Sequence, residues 1–318
     1  MLKNCVIAGL QVNSEAYHTQ KVERGTPKFI MSPSSLKLFN ECPARWIAGY
    51  NPPDSDAKAF GSLLDTLALT PSQFPERYAV KPATYKDAKT GEEKPFNMNA
   101  TICKTWASEQ EGKVIVSNGD YVEAQTATKR LMADETIAEL INCSDKQVHV
   151  AGEWHDKPTS LVIPVQCLID LAPKADSPFQ KSLCDLKTVR NASQRPFARQ
   201  VFQFGWHVQA ALDLALYGAA TGQDRTDWLF VALENYPPFQ TGRRLLAMDF
   251  IEIGQQTFKH ALGRYAKCLK TGVWPSYDPA EEFSLVQAEP WMQFEAMGEA
   301  MEHQVEEEMA ENNDVPTP

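Results

Sequence analysis

The stretch from Leu168 to Val189, LIDLAPKADSPFQKSLCDLKTV, restricts the fold more than any other part of the chain. Two apolar runs of strand composition each end in an acid, Asp170 and Asp185, with turn residues between them. Side chains alternate along a strand, so Asp185 and Lys187 project together while Leu186 points into the core. An unpaired buried carboxylate is costly. Asp170 and Asp185 are therefore expected to face a cation or a cavity, with the Lys187 ammonium reaching the same volume. Two hard oxygen ligands suit a divalent cation, Mg²⁺ or Mn²⁺, and the Leu186 carbonyl completes a plausible ligand set. A metal so held polarises a phosphate and lowers the pKa of a bound water, and Lys187 would orient or help deprotonate that water. The alternatives are a strand-end acid for Asp170 and a plain ion pair for Lys187.

Composition allows one large domain or two small ones: 318 residues, 43% hydrophobic and 23% charged. No apolar run approaches the roughly 20 residues of a membrane span. MLKNCVIAGLQVN reads as an early strand and not as a signal peptide, so no membrane partner and a cytoplasmic location are expected. Seven cysteines without a CxxC pair argue against a disulfide framework or a zinc site. The net charge of −10 is unevenly placed: residues 281–318 hold eleven acids and no Lys or Arg. Residues 1–280 are nearly neutral, which leaves room for a locally basic groove.

In chain order, Ser34 or Ser35 is expected to cap a helix through SLKLFNECPARWIAGY that Pro43 ends or kinks, followed by a helix over AKAFGSLLDTLALT. Phe60, Leu63, Leu64 and Leu67 form the apolar stripe of the latter, and Asp65 falls off it. Residues 71–98 read as a surface loop or a mobile excursion. A helix over ATICKTWASEQ, a strand KVIVS, a turn at Asn118-Gly119 and one or two helices follow. From Val148 the period changes to that of three successive strands, VHVAGEWH, SLVIPVQCLIDLAP and KSLCDLKTV. A long helix over 196–221 with Phe202, Trp206 and Gln209 among its inward residues, strands TDWLFVALENY and GRRLLAMDFIEI, and a helix ending at Gly272 complete a mixed α/β core. A polar helix over 290–311 and a disordered end are expected in the tail.

Four segments resemble one family. YHTQ followed by MSPSSLKLFNECPARW, then GSLLDTLALTP, then CLIDLAP with SLCDLKTV, then FGWHVQAALDLALYG stand in the order found in the PD-(D/E)xK nuclease superfamily, in the phage branch similar to exonuclease VIII (RecE-like), with relatives among RecB-type nucleases. The resemblance spans about residues 15–275. It implies an α/β, restriction-endonuclease-like core with a mixed central sheet flanked by helices, and an N-terminal helical elaboration: one nuclease domain over 1–280, helical over about 30–145 and catalytic over about 146–275, then an acidic tail over 281–318. It implies a Mg²⁺-dependent exonuclease on linear double-stranded DNA ends, 5′ to 3′, in phage recombination, with a ring-shaped homo-oligomer and a single-strand annealing protein as partner. It assigns Asp170, Asp185 and Lys187 to the catalytic centre and Gln209 to the helix above it.

Two departures stand out. Where the family has His in the second helix this chain has Asp65, still a hard oxygen donor, and where the Gln helix often carries Tyr it has Asp213. Iron–sulfur relatives need a late cysteine cluster, and only Cys268 lies beyond the Gln helix, so no iron–sulfur cluster is expected. Glu153, on the first strand, could complete the metal shell through a water. Gln209 would position Lys187 or a phosphate, or be satisfied within the core. Arg190, Arg195 and Arg199 flank the catalytic strand and are candidate phosphate contacts, as are Lys259, Arg264, Lys267 and Lys270 on the last helix. Competing readings are a non-catalytic DNA-binding protein on a degenerate nuclease fold and a structure-selective endonuclease.

Overall fold

Strand β1 (Leu2–Gly9) is followed by helices α1 (Pro33–Glu41), α2 (Pro43–Ile47) and α3 (Asp56–Leu69). Ser32, not Ser34 or Ser35, caps α1: its hydroxyl accepts from the Ser35 N–H, and Pro33 takes the first helical position, where a missing N–H leaves no bond unmade. Pro43 ends α1 and opens α2 for the same reason. The computed structural model describes residues 1–13, 17, 22–277, 285–288 and 297, so the helix expected over 290–311 falls, Met297 apart, outside the described residues. Residues Met1–Trp274 form one compact unit and Pro275–Pro318 a second.

Residues 71–98 are not a plain loop. They hold α4 (Phe74–Arg77), β2 (Tyr78–Val80) and the hairpin β3 (Thr84–Lys86) with β4 (Glu93–Pro95). The hairpin is built on Asp87, whose carboxylate accepts from the Lys89 and Thr90 N–H groups and pairs with Lys94, bonding that leaves no hydrophobic period to read. After α5 (Thr101–Glu109), β5 (Val114–Val116) pairs in parallel with β2. Asn118 and Gly119 are the first turn of α6 (Asn118–Met132), because Ser117 caps that helix by accepting from the Asp120 N–H. α7 (Glu135–Asn142) follows.

The strands of the second half are β6 (Ser144–His155), β7 (Val162–Pro173) and β8 (Ser182–Val189); after helices α8 (Gln194–Gln203) and α9 (Trp206–Thr221) come β9 (Asp227–Glu234), β10 (Thr241–Leu245) and α10 (Met248–Thr271). The single helix expected over 196–221 is two, broken where Gly205 adopts φ +66°. The strand expected through MDFIEI stops at Leu245, and those residues begin α10. Six strands pair in the order β1-β6-β7-β8-β9-β10, antiparallel except for β8 with β9.

Helices cover both faces of this mixed sheet. On one, Ala210, Ala211 and Leu212 of α9 and Phe258 and Leu262 of α10 bury against Val150, Val165, Cys167 and Ile169. On the other, Leu64 and Leu69 of α3, Leu131 of α6 and Ile137 of α7 bury against Leu171, Cys184, Leu186 and Val231. Gly254 lets α10 lie directly on α9: an added Cβ would meet the His207 carbonyl and the Ala211 methyl. Gly254→Ala is therefore expected to cost about 1–3 kcal/mol by overpacking, read as a lower urea midpoint.

Candidate active site

Asp170 marks a change of face in β7. Ile163, Val165, Cys167 and Ile169 belong to the cluster under α9 and α10, whereas Leu171 belongs to the cluster on the opposite face. Between them the Asp170 carboxylate is left pointing along the sheet: Oδ2 accepts the Leu186 N–H at 2.8 Å and Oδ1 accepts Gln147 Nε2 at 3.0 Å. The β7–β8 ladder consists of one pair, Leu171 with Cys184. One step further that register sets Asp170 opposite Asp185, and like charges directly opposed disfavour closing the ladder. The strands stand open there. Since the Leu186 N–H faces β7, its carbonyl leaves the same edge of β8 and enters the opening.

Asp185 and Lys187 share a face of β8, as their spacing requires. Lys187 Nζ pairs with Asp185 Oδ2 at 2.6 Å, and Asp185 Oδ1 accepts Gln209 Nε2 at 2.9 Å. Gln209 Oε1 in turn lies 3.4 Å from Lys187 Nζ, so one amide from α9 holds both members of the ion pair. The Lys187 ammonium also stands 5.5 Å from the Trp206 ring centroid. Burial works to lower the Lys187 pKa, but Asp185 and Asp170 outweigh it and raise it, so the side chain stays a cation.

Asp65 comes to the opening from the other face of the sheet. Gly61 lets α3 touch β8, since a Cβ there would sit 2.9 Å from Thr188 Oγ1, and Asp65 follows one helical turn later. Burial, then Asp170, then Asp185 push its carboxyl well above the usual range. Burial first and Asp185 second push Asp170 up to about 7. Three carboxyl groups thus face one lysine, and a hard divalent cation would supply the positive charge that lets them ionise together. Among the described residues no group of three His, Cys, Asp or Glu side chains is arranged to hold an ion unaided. Asp170, Asp185 and the Leu186 carbonyl are the oxygen groups at the opening that could hold such an ion, with Asp65 facing them.

Other expected residues lie elsewhere. Glu153 is six positions beyond Gln147 on β6, about 20 Å along the strand. It accepts from Asn4 and meets His155 on the sheet's outer side, so it is not a ligand of this site. Gln147 stands in its place and was not foreseen. Its backbone at φ +49° takes it out of the ladder, and its side chain is 6% exposed. Asp213 is wholly buried. Burial first and Asp185 second push its carboxyl well up, and Cys167 and Gln209 lie beside it. Arg190, just after β8, and Arg195 and Arg199, on α8, are exposed. Arg264 is committed to structure, donating to the Asn40 carbonyl oxygens and lying over Phe39.

The sign of the pH effect follows from Asp170. Its folded pKa lies above the unfolded value, so its contribution to stability is full below about pH 4 and is lost as pH rises through about 7. In EDTA the urea midpoint is expected to fall between about pH 5 and about pH 8, and the Asp170→Asn variant to lose most of that slope.

Residues 32–288 match the family model described as a PDDEXK-like domain of unknown function (DUF3799). The crystal structure of a "putative exonuclease" from Eubacterium rectale superposes with a TM-score of 0.54 at 15% identity, over 90% of this chain and 98% of that one, a likeness of fold. No curated protein matches in sequence.

Proposed function

The chain belongs to the PDDEXK-like DUF3799 family, and from that premise we propose that it is a metal-dependent deoxyribonuclease that attacks the ends of linear duplex DNA. One observation carries the reading: β7 and β8 part at Asp170 and Asp185, and the opening is lined by two carboxylates, a backbone carbonyl and the Lys187 cation. Purely structural acids would be paired off singly. Here they are collected around one lysine.

A bound Mg²⁺ would supply Lewis-acid polarisation of the scissile phosphate and a more acidic water. The chain's own part is orientation and charge. Gln209 and Asp185 fix the Lys187 ammonium, which being a cation donates hydrogen bonds to the attacking water or to the phosphate oxygens as negative charge grows on them. Gln147 and the Leu186 N–H fix Asp170. Arg190, Arg195 and Arg199 supply sequence-independent, salt-sensitive contacts to backbone phosphates. The Eubacterium rectale structure and the resemblance to RecE-like nucleases favour end-directed cleavage, and the resemblance alone favours 5′ to 3′ polarity, a ring and a recombination setting.

Linear and covalently closed circular forms of one plasmid separate the versions. Mg²⁺-dependent loss of the linear form alone, with 5′-end label released first, is the expected result. Nicking of the closed circle at a matching rate would replace the exonuclease reading with an endonuclease one.

A further inference from the structure

Two phenylalanines just before the helix that carries Gln209 face outward: Phe202 is 64% exposed and Phe204 41%. The helical period placed Phe202 inward. Gly205 is the cause of the difference, because its left-handed backbone ends α8 and restarts the chain as α9, leaving only Phe197 and Val201 of α8 in the core. Single exposed rings need no explanation, but two within three residues at the junction of α8 and α9 do.

Phe202 lies flat on His207, with centroids 5.3 Å apart and planes 9° from parallel. His207 is buried, its Nδ1 3.2 Å from the Val201 carbonyl oxygen. One face of the Phe202 ring is thus backed by a fixed group, and its exposure belongs to the other. Phe204 meets Trp206 at 5.4 Å, and Trp206 in turn stands 5.5 Å from the Lys187 ammonium, so this second ring pair runs up to the site. Lys37 of α1 holds its ammonium 5.4 Å from the Phe204 centroid and 3.9 Å from Glu41, a half-exposed pair that a phosphate can displace, and Arg195 and Arg199 lie on the helix that leads to both rings. Ring faces interleaved with cations take a single nucleic-acid strand, bases on the rings and phosphates on the cations. A closed duplex offers such a row only its terminal pair, whereas an unpaired strand offers each base in turn.

We infer that Phe202 and Phe204 form a stacking platform for unpaired bases at a DNA end, with Lys37 as the adjoining phosphate contact, so that the chain prefers duplex ends carrying a single-stranded overhang. The inference rests on the nuclease reading for the fate of the bound end and not for the binding itself.

The test is fluorescence anisotropy in EDTA with two fluorescein-labelled hairpin duplexes, one blunt and one ending in an overhang of about six thymidines. The overhang probe is expected to bind about tenfold more tightly than the blunt one. That ratio should fall toward one in Phe202→Leu and Phe204→Leu, which keep the apolar bulk and lose the ring, and return in Phe202→Tyr and Phe204→Tyr. A ratio unaffected by the leucine variants overturns the platform. So does sedimentation velocity in which those variants change a larger species into a smaller one while both probes weaken equally, since the rings would then be an interface between copies. Mg²⁺-dependent digestion of linear duplex by the parent protein without overhang preference removes the platform and leaves the nuclease reading standing. Overhang preference without any digestion does the reverse.

Discussion

Lys187→Ala is expected to lower cleavage of linear duplex by about 10²- to 10³-fold, the cost of removing one preorganised donor from a developing anion. It should also destabilise the metal-free protein by about 3 kcal/mol, because Asp185 is 3% exposed and would keep only its bond from Gln209. The two effects separate with metal. Added Mg²⁺ supplies a counter-charge for Asp185 and should restore much of the lost stability, yet it cannot replace the ammonium in the reaction. Urea midpoints with and without Mg²⁺, measured beside initial rates, check both parts. Recovery of the rate along with the stability would assign Lys187 a purely structural role.

Asp65→Asn is expected to act in opposite directions on the two forms of the protein. Without metal it removes one of three mutually repelling carboxyl groups and should raise the urea midpoint, most at high pH where Asp170 is ionised. With metal it should weaken Mg²⁺ or Mn²⁺ binding about 10- to 100-fold, a loss typical of a group that supports the ligands, and cleavage should fall with it. Asp65→His, which places a nitrogen ligand on the same turn of α3, is expected to keep Mn²⁺ binding better than Asp65→Asn. Titration calorimetry with Mn²⁺ gives the affinities directly. Unchanged affinity in Asp65→Asn would make Asp65 a bystander.

Part of this site was legible before any coordinates. Asp185 and Lys187 obey the two-residue period of a strand, and the structure keeps them on one face. Asp65 fell off the apolar stripe of its helix, and an acid that leaves the stripe yet stays close to the sheet is what the contact of Gly61 with Thr188 produces. Asp170 was legible as a residue but not as a direction. The change of face in β7 depends on Gln147 at φ +49°, a backbone state that no side-chain pattern announces. Glu153 was assigned to the site because an acid on a neighbouring strand looks equivalent to any other. β6 is twelve residues long, and position along it decides which end an acid reaches.

The helix over 196–221 failed for a related reason. A glycine within a helical pattern is usually tolerated, so Gly205 was read through, and Phe202 was placed in the core on a period that does not continue past it. Ser32 was missed as a cap because Pro33 hides the start of the helix it opens. Gly205 and Gln147 show the same thing from two sides: single backbone states, invisible in hydrophobic pattern, set where α9 begins and where Asp170 points. No helix among the described residues is long and apolar enough to cross a membrane.

The central claim is that the opening between β7 and β8 hydrolyses DNA with the help of a divalent cation. The most direct measurement follows acid-soluble label released from uniformly labelled linear duplex by the parent protein and by Asp185→Ala, with Mg²⁺ and with EDTA. Release by the parent protein in Mg²⁺ alone, with none from Asp185→Ala under either condition, is the expected result. Equal release by both proteins, or none from the parent protein at any Mg²⁺ or Mn²⁺ concentration, would contradict it.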